Sequence, residues 1–129
     1  MGSHNRRSSI RIPLQMFLNE YVNDSPQRCM SLNLAPEGIY LNRLIDPFQD
    51  RPEGVGLEFE LPGTSEVVWA KGQVVFDVID KYFHGTGVRF MGMADMHRRM
   101  IRDYVFEKRE ERLRELLSRV RRNRRLRLN

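Results

Sequence analysis

The sequence predicts a mainly β fold followed by one long helix. Two observations carry this. About six strand-like runs, separated by regular turn signals, arrive before any helical period. From Asp95 onward the apolar spacing changes to the helical one and stays there. Strands in series with no intervening helix argue an antiparallel sheet or a small closed barrel. At 129 residues, 40% of them apolar, the chain is expected to form one domain with a modest core.

Taken in order, Met1 to His4 reads as an expression-tag remnant and is left out of the fold. Residues 5–12 are a polar, flexible, arginine-rich arm. The strands are expected over 13–94, and the helix over 95–129. Pro13 opens a first strand, Leu14 to Val22, in which Leu14, Met16 and Leu18 alternate with Gln15, Phe17 and Asn19. Asn23-Asp24-Ser25-Pro26 signals a turn. Cys29 to Leu34 alternates again, and Pro36-Glu37-Gly38 breaks it, with Gly38 expected to supply a positive φ. Ile39-Tyr40-Leu41 is a short strand, and residues 43–54 read as a loop. Val55, Leu57, Phe59 and Leu61 alternate strictly with Gly56, Glu58 and Glu60, the pattern of a half-buried strand. Pro62 to Ser65 is a hairpin loop. Val67 to Ile79 is a long strand with a bulge or bend expected at Gly72. Asp80-Lys81 turns into the strand Tyr82 to Phe90. Asp95 is the expected helix N-cap, and Met96, Met100, Ile101, Tyr104 and Val105 form a face that would cover an open end of the sheet. Leu113, Leu116, Leu117 and Val120 then form a second stripe, which either folds back or meets another chain.

The net charge of +5 is unevenly placed. Residues 119–129 hold six arginines and no acid, so removing them leaves −1 on the rest. The basic character belongs to a tail, which disfavours nucleic-acid binding by the whole domain. Three readings of the tail stand: a solvated helix end whose charge suits the helix dipole, a contact with an acidic partner protein, or weak binding to nucleic acid or anionic lipid. No apolar run approaches the roughly 18–20 residues that span a bilayer, and no secretory signal is visible, so a cytoplasmic location is expected. The single cysteine, Cys29, forms no intramolecular disulfide and is expected to pack as a small apolar residue. His84 and His97 have no metal-ligand spacing with acids or Cys29. Asp77 and Asp80 have no His or nucleophile in a recognisable constellation, and Ser8 and Ser9 lack a nucleophile-elbow context. Trp69 is expected in the core or an interface. No catalysis, metal or cofactor is expected.

Arg6, Arg7 and Arg11 place three guanidiniums within six residues and no acid among them. Such a cluster is a solvated arm or a phosphate clamp. Arg7-Ser8-Ser9-Ile10-Arg11 is followed by Asn33-Leu34-Ala35-Pro36-Glu37-Gly38, by Ile39-Tyr40-Leu41, and late in the chain by Gly87-Val88-Arg89-Phe90. In order, spacing and strand context these motifs resemble a PilZ domain, the bacterial receptor module for cyclic di-GMP, over about residues 6–106. The resemblance implies a stand-alone, six-stranded antiparallel barrel with a long C-terminal helix, and a non-enzymatic second-messenger receptor.

It also implies roles. Arg7 and Arg11 would wrap a ligand held on the barrel, since a guanidinium bonds phosphate or guanine O6 and N7 through two parallel N–H groups and stacks on purines. Asn33 would bond guanine or nearby backbone, and Gly38 would keep the surface clear. Arg6 would allow a stacked pair of ligands. Arg89 either faces the ligand or is solvated. Ala35 departs from the family's usual serine, and the missing hydroxyl would weaken binding about two- to tenfold. The implied output is a signal passed to a downstream protein, and such domains serve motility, biofilm polysaccharide secretion, development and virulence. A second reading is an adaptor that has lost ligand binding and works through Leu113, Leu116, Leu117 and Val120, with a protein partner or a second copy. A third is nucleic-acid binding through the tail. Deleting residues 119–129 is expected to abolish retention on heparin; retention by the truncated chain would contradict the charge partition.

Overall fold

The computed structural model of the chain describes residues 10–44, 53–79 and 83–128. Among these residues seven strands precede one helix: β1 (Ile12–Pro13), β2 (Phe17–Val22), β3 (Ser25–Ala35), β4 (Gly38–Leu44), β5 (Gly54–Glu60), β6 (Val67–Ile79), β7 (Phe83–Met93) and α1 (Asp95–Leu128). All pairings are antiparallel, in the order β1-β3-β2-β5-β6-β7-β4, and β4 returns to pair with β3. The six strands β2–β7 therefore form a closed barrel, with β1 added beside β3. Closure removes free edges that would otherwise invite aggregation.

Alternation decides what faces inward. Leu18 and Val22, Leu34, Ile39 and Leu41, Val55, Leu57 and Phe59, Val68 and Ala70, and Val88 and Phe90 are all buried in one cluster. Cys29 lies among them. Trp69 instead stands on the outer wall, about half exposed, with its ring 5.2 Å from that of Tyr21.

Several local expectations shift, each for a physical reason. The first strand is interrupted at Leu14–Met16. There the buried Ser31 hydroxyl accepts from the Met16 N–H at 3.1 Å and donates to the Leu14 carbonyl, beside the backbone bonds from Leu14 N–H to the Leu32 carbonyl and from Ser31 N–H to the Met16 carbonyl. The first turn contracts to Asn23 and Asp24, with φ of 51° and 63°. These are the values of a two-residue hairpin turn matched to strand twist, so Ser25 and Pro26 join β3. Gly38 does not take a positive φ; Gly63, at 84°, does. Gly38 instead starts β4, where a Cβ would lie 2.6 Å from the Val88 carbonyl oxygen. Its lack of a side chain lets β4 close on β7. Bulges fall at Lys71/Gly72 and Val74/Phe76. Arg43 lies in β4 rather than in a loop, paired with His84. The expected Asp80–Lys81 turn lies outside the described residues.

α1 begins one residue early: the Ala94 carbonyl accepts from the Arg98 N–H at 3.0 Å. Ala94 is therefore the cap, and Asp95 lies in the first turn, where its charge still suits the helix dipole. Ile101 and Val105 are fully buried against the barrel, with Met100 and Tyr104 beside them. Burial holds the Tyr104 phenol above its ordinary pKa of 10.0. Met96 is half exposed and takes no part in this plug. Beyond Val105 the helix continues without turning back; its 34 residues reach about 51 Å at 1.5 Å per residue. Ile101→Ala should therefore cost about 2–5 kcal/mol, whereas Leu117→Ala should change the folding stability of the isolated chain by less than about 0.5 kcal/mol. Urea unfolding of the two variants measures the contrast.

Candidate ligand-binding site

Residues directly opposite in antiparallel strands share a face, so the register assembles the outer wall row by row. One row reads Ala35, Gly38, Arg89 and Gln73 across β3, β4, β7 and β6. The next reads Pro13, Asn33, Tyr40, Gly87 and Phe76 across β1, β3, β4, β7 and β6. Asn33, Ala35, Gly38 and Arg89, 56 residues apart at the extremes, thus meet on one patch. Ile12 pairs with Leu34, which brings Arg11, exposed and one residue before β1, alongside Ala35 at the patch edge. Arg6 and Arg7 lie outside the described residues.

The patch has definite chemistry. Arg89 is exposed and donates to the Gln73 side-chain oxygen at 2.9 Å, which orients its guanidinium across β6 and β7. Asn33 is half-buried. Ala35 is only 3% exposed, so its methyl forms part of the wall rather than a projecting group. Tyr40 and Phe76 stack at 5.6 Å over β7, and they can do so because Gly85 and Gly87 leave room; a Cβ there would strike their rings. Beside the Pro36–Glu37 turn, an open cleft of about 520 Å³ is lined by Asp95, Arg98, Arg99 and Arg102 of α1. Three guanidiniums against two carboxylates leave this edge positive, which favours approach of an anion.

Tyr40 and the α1 arginines were not singled out from the sequence. Tyr40 does break the apolar run Ile39-Tyr40-Leu41 with a polar tip on the opposite parity. Arg98 and Arg99 gain meaning only from the docking of α1 beside the Pro36–Glu37 turn.

A second cluster lies at the other end of the barrel. Glu20 and Arg43 are both buried, with Glu20 Oε1 2.9 Å from Arg43 Nη2. That nitrogen makes no well-aligned hydrogen bond among the described residues, so the pair is held by charge more than direction. Arg43 Nη1 donates to the Thr86 hydroxyl at 3.1 Å, and Thr86 donates to Asp77 Oδ1 at 2.9 Å. His84 Nε2 meets the same oxygen at 3.0 Å. Asp77 therefore does have a histidine partner, contrary to the linear reading, because the β6–β7 ladder sets Asp77 opposite Thr86, beside His84. No group of acids, His and Cys able to hold a metal occurs among the described residues. The signal for this cluster was present: Glu20 follows Leu18, and Arg43 follows Leu41, at the inward parity.

Fold and surface together define a small antiparallel-barrel domain with a positively charged edge and a long projecting helix. The family model of the PilZ domain matches residues 5–107, and the chain belongs to the PilZ family. No curated protein sequence matches it. Among solved structures it is similar to the Bacillus subtilis inhibitor of motility MotI/DgrA, with a TM-score of 0.70 and 13% identity, over 82% of this chain and 52% of that one. It is similar to the PilZ domain of Escherichia coli YcgR with c-di-GMP, with a TM-score of 0.62 and 17% identity, over 85% and 97%. It is also similar to Borreliella burgdorferi PlzA in complex with c-di-GMP, with a TM-score of 0.53 and 14% identity, over 74% and 39%. The chain spans about half of MotI and less than half of PlzA, and these likenesses speak for the fold. No described helix is long and apolar enough to cross a membrane.

Because Glu20 and Arg43 are buried together, removing one takes a close counter-charge from the other in the barrel interior. Glu20→Gln or Arg43→Met alone should destabilise by about 3–5 kcal/mol, and the apolar double variant Glu20→Leu/Arg43→Met by much less. Chemical unfolding of the three variants checks this; equal losses for single and double variants would contradict it.

Proposed function

We propose that this chain is a non-enzymatic, cytoplasmic receptor for cyclic di-GMP that passes its signal to a downstream protein. The observation that carries the reading is the meeting of Asn33, Ala35, Gly38 and Arg89 on one outer patch with Arg11 at its edge. The ligand is a dianion with two guanines. Arg11 and Arg7 supply forked donors for phosphate or for guanine O6 and N7. Asn33 offers an amide to a base edge, and Gly38 presents bare backbone. Arg6 adds the cation that a second, stacked ligand would need. The guanidiniums of Arg98, Arg99 and Arg102 raise the local anion concentration from the α1 side. Two of the similar structures contain c-di-GMP, which supports the ligand class. The arm enters through β1, and β1 and β3 carry the docked turns of α1. Closing the arm over ligand would thus alter the surface beside the helix, where a partner can read it.

A second reading, an adaptor without ligand, is favoured by one observation: Ala35 offers no hydroxyl. Calorimetric titration with cyclic di-GMP separates the two. The receptor reading expects saturable heat, a loss of roughly tenfold or more in affinity for Arg7→Ala or Arg11→Ala, and a gain of about two- to tenfold for Ala35→Ser. Unchanged binding in the Arg7→Ala/Arg11→Ala double variant sinks the clamp. Absence of binding both before and after Ala35→Ser favours the adaptor.

A further inference from the structure

After Val105, α1 leaves the barrel, and every side chain from Arg109 to Arg125 is exposed. The projecting segment still carries apolar groups. Phe106, Leu113 and Val120 recur every seven residues with Leu116 and Leu117 between them, and all five are 44–56% exposed. Seven-residue spacing keeps them on one line of the helix, the seam geometry of paired helices. Among the described residues, none covers this stripe.

Charge and length say what covers it. Glu110, Leu117 and Arg124 also lie seven apart and share one line beside the stripe. In the first half of the projecting segment the acids Glu107, Glu110, Glu111 and Glu115 are balanced by Lys108, Arg109, Arg112 and Arg114, so it is neutral; the second half, from Arg119 on, holds arginines and no acid. If a second helix lay parallel and in register, Glu110 would face Glu110, and the two arginine tails would run side by side. Turning it end for end about Leu117 sets Glu110 opposite Arg124 at both ends. The same rotation puts residue 128 opposite residue 106, because Leu117 is the midpoint of that span. Each helix would then end where the other barrel begins, so the full projecting length is used and the barrels stay clear of one another.

We propose that a second copy of this chain covers the stripe, with the two α1 helices antiparallel about a two-fold axis at Leu117. Leu113, Leu116, Leu117 and Val120 form the seam, and Glu110–Arg124 pairs close both ends. Within its own helix, Glu110 holds Arg114 at 3.2 Å, but both side chains are largely exposed, and such a pair contributes little. Glu110 is therefore free to turn to the other helix. The interface is isologous, as a two-fold dimer requires, and it does not depend on ligand binding at the barrel.

The test uses the full chain without ligand. Sedimentation equilibrium should show a dimer, and Leu117→Asp should convert it to monomer with an unchanged circular dichroism spectrum. Glu110→Arg and Arg124→Glu should each weaken the dimer several-fold, and the double variant should recover most of the loss. Glu110→Cys and Arg124→Cys, each made with Cys29→Ala so that one thiol remains, should give a cross-link between the two variants when mixed and oxidised. A wild-type chain that stays monomeric overturns the proposal. So does Glu110→Cys linking efficiently to itself, or an assembly in which the mixed variants fail to cross-link.

Discussion

Closure of the barrel at β4 is the constraint on which the remaining structure depends. β4 is hydrogen-bonded on one side to β3 and on the other to β7, so it joins the early hairpin to the late one. That junction is tight at Gly38, where any Cβ would meet the Val88 carbonyl. Once β4 is seated, every strand has one face inside. Ile39 and Leu41 then enter the core, and Gly38 and Tyr40 fall on the outer wall with Asn33 and Arg89. Packing and the candidate site are thus two faces of one strand pairing.

The two ends of the barrel are finished differently. At one, the Ile101 and Val105 side chains of α1 plug the opening with apolar surface, which is stabilising in proportion to the area removed from water. At the other, Glu20, Arg43, Thr86, Asp77 and His84 form a polar chain. A buried ion pair adds little net stability over an apolar filling, but it penalises a strand register that would separate the partners. The candidate ligand patch lies toward the helical end, so events at the patch and the docking of α1 share β1, β3 and the Pro36–Glu37 turn. Past that docking point the helix is free of the barrel, and its composition changes from a plug to a stripe with opposed charges.

Much of the barrel could be read from alternation. Val55, Leu57 and Phe59 point inward as their spacing implies, and the bulge falls at Gly72. Several of the readings that changed concern groups whose partners are distant in sequence. Ser31 interrupts the first strand from across β3. Gly38 answers to Val88 rather than to its own turn. Asp77 finds His84 only because two long strands pair. Trp69 is not in the core, because β6 places it half exposed at outward parity. Within the candidate site, Asn33 and Gly38 were legible as a motif, whereas Tyr40 and the arginines of α1 became candidates only through cross-strand register and helix docking.

Sequence by itself determined the strand and helix periods, the placement of charge in the tail, and the short motifs that mark the family, because these depend on neighbours within a few residues. Tertiary structure decided which residues share a face. Closing the sheet brings Asn33, beside β1, onto the same wall as Arg89 of β7, with β4 between them, and sets Glu20 against Arg43. It also decided the fate of the second apolar stripe. The docking of Ile101 and Val105 sets the direction of a rigid helix, and that direction leaves Leu113 to Val120 exposed beyond the barrel among the described residues.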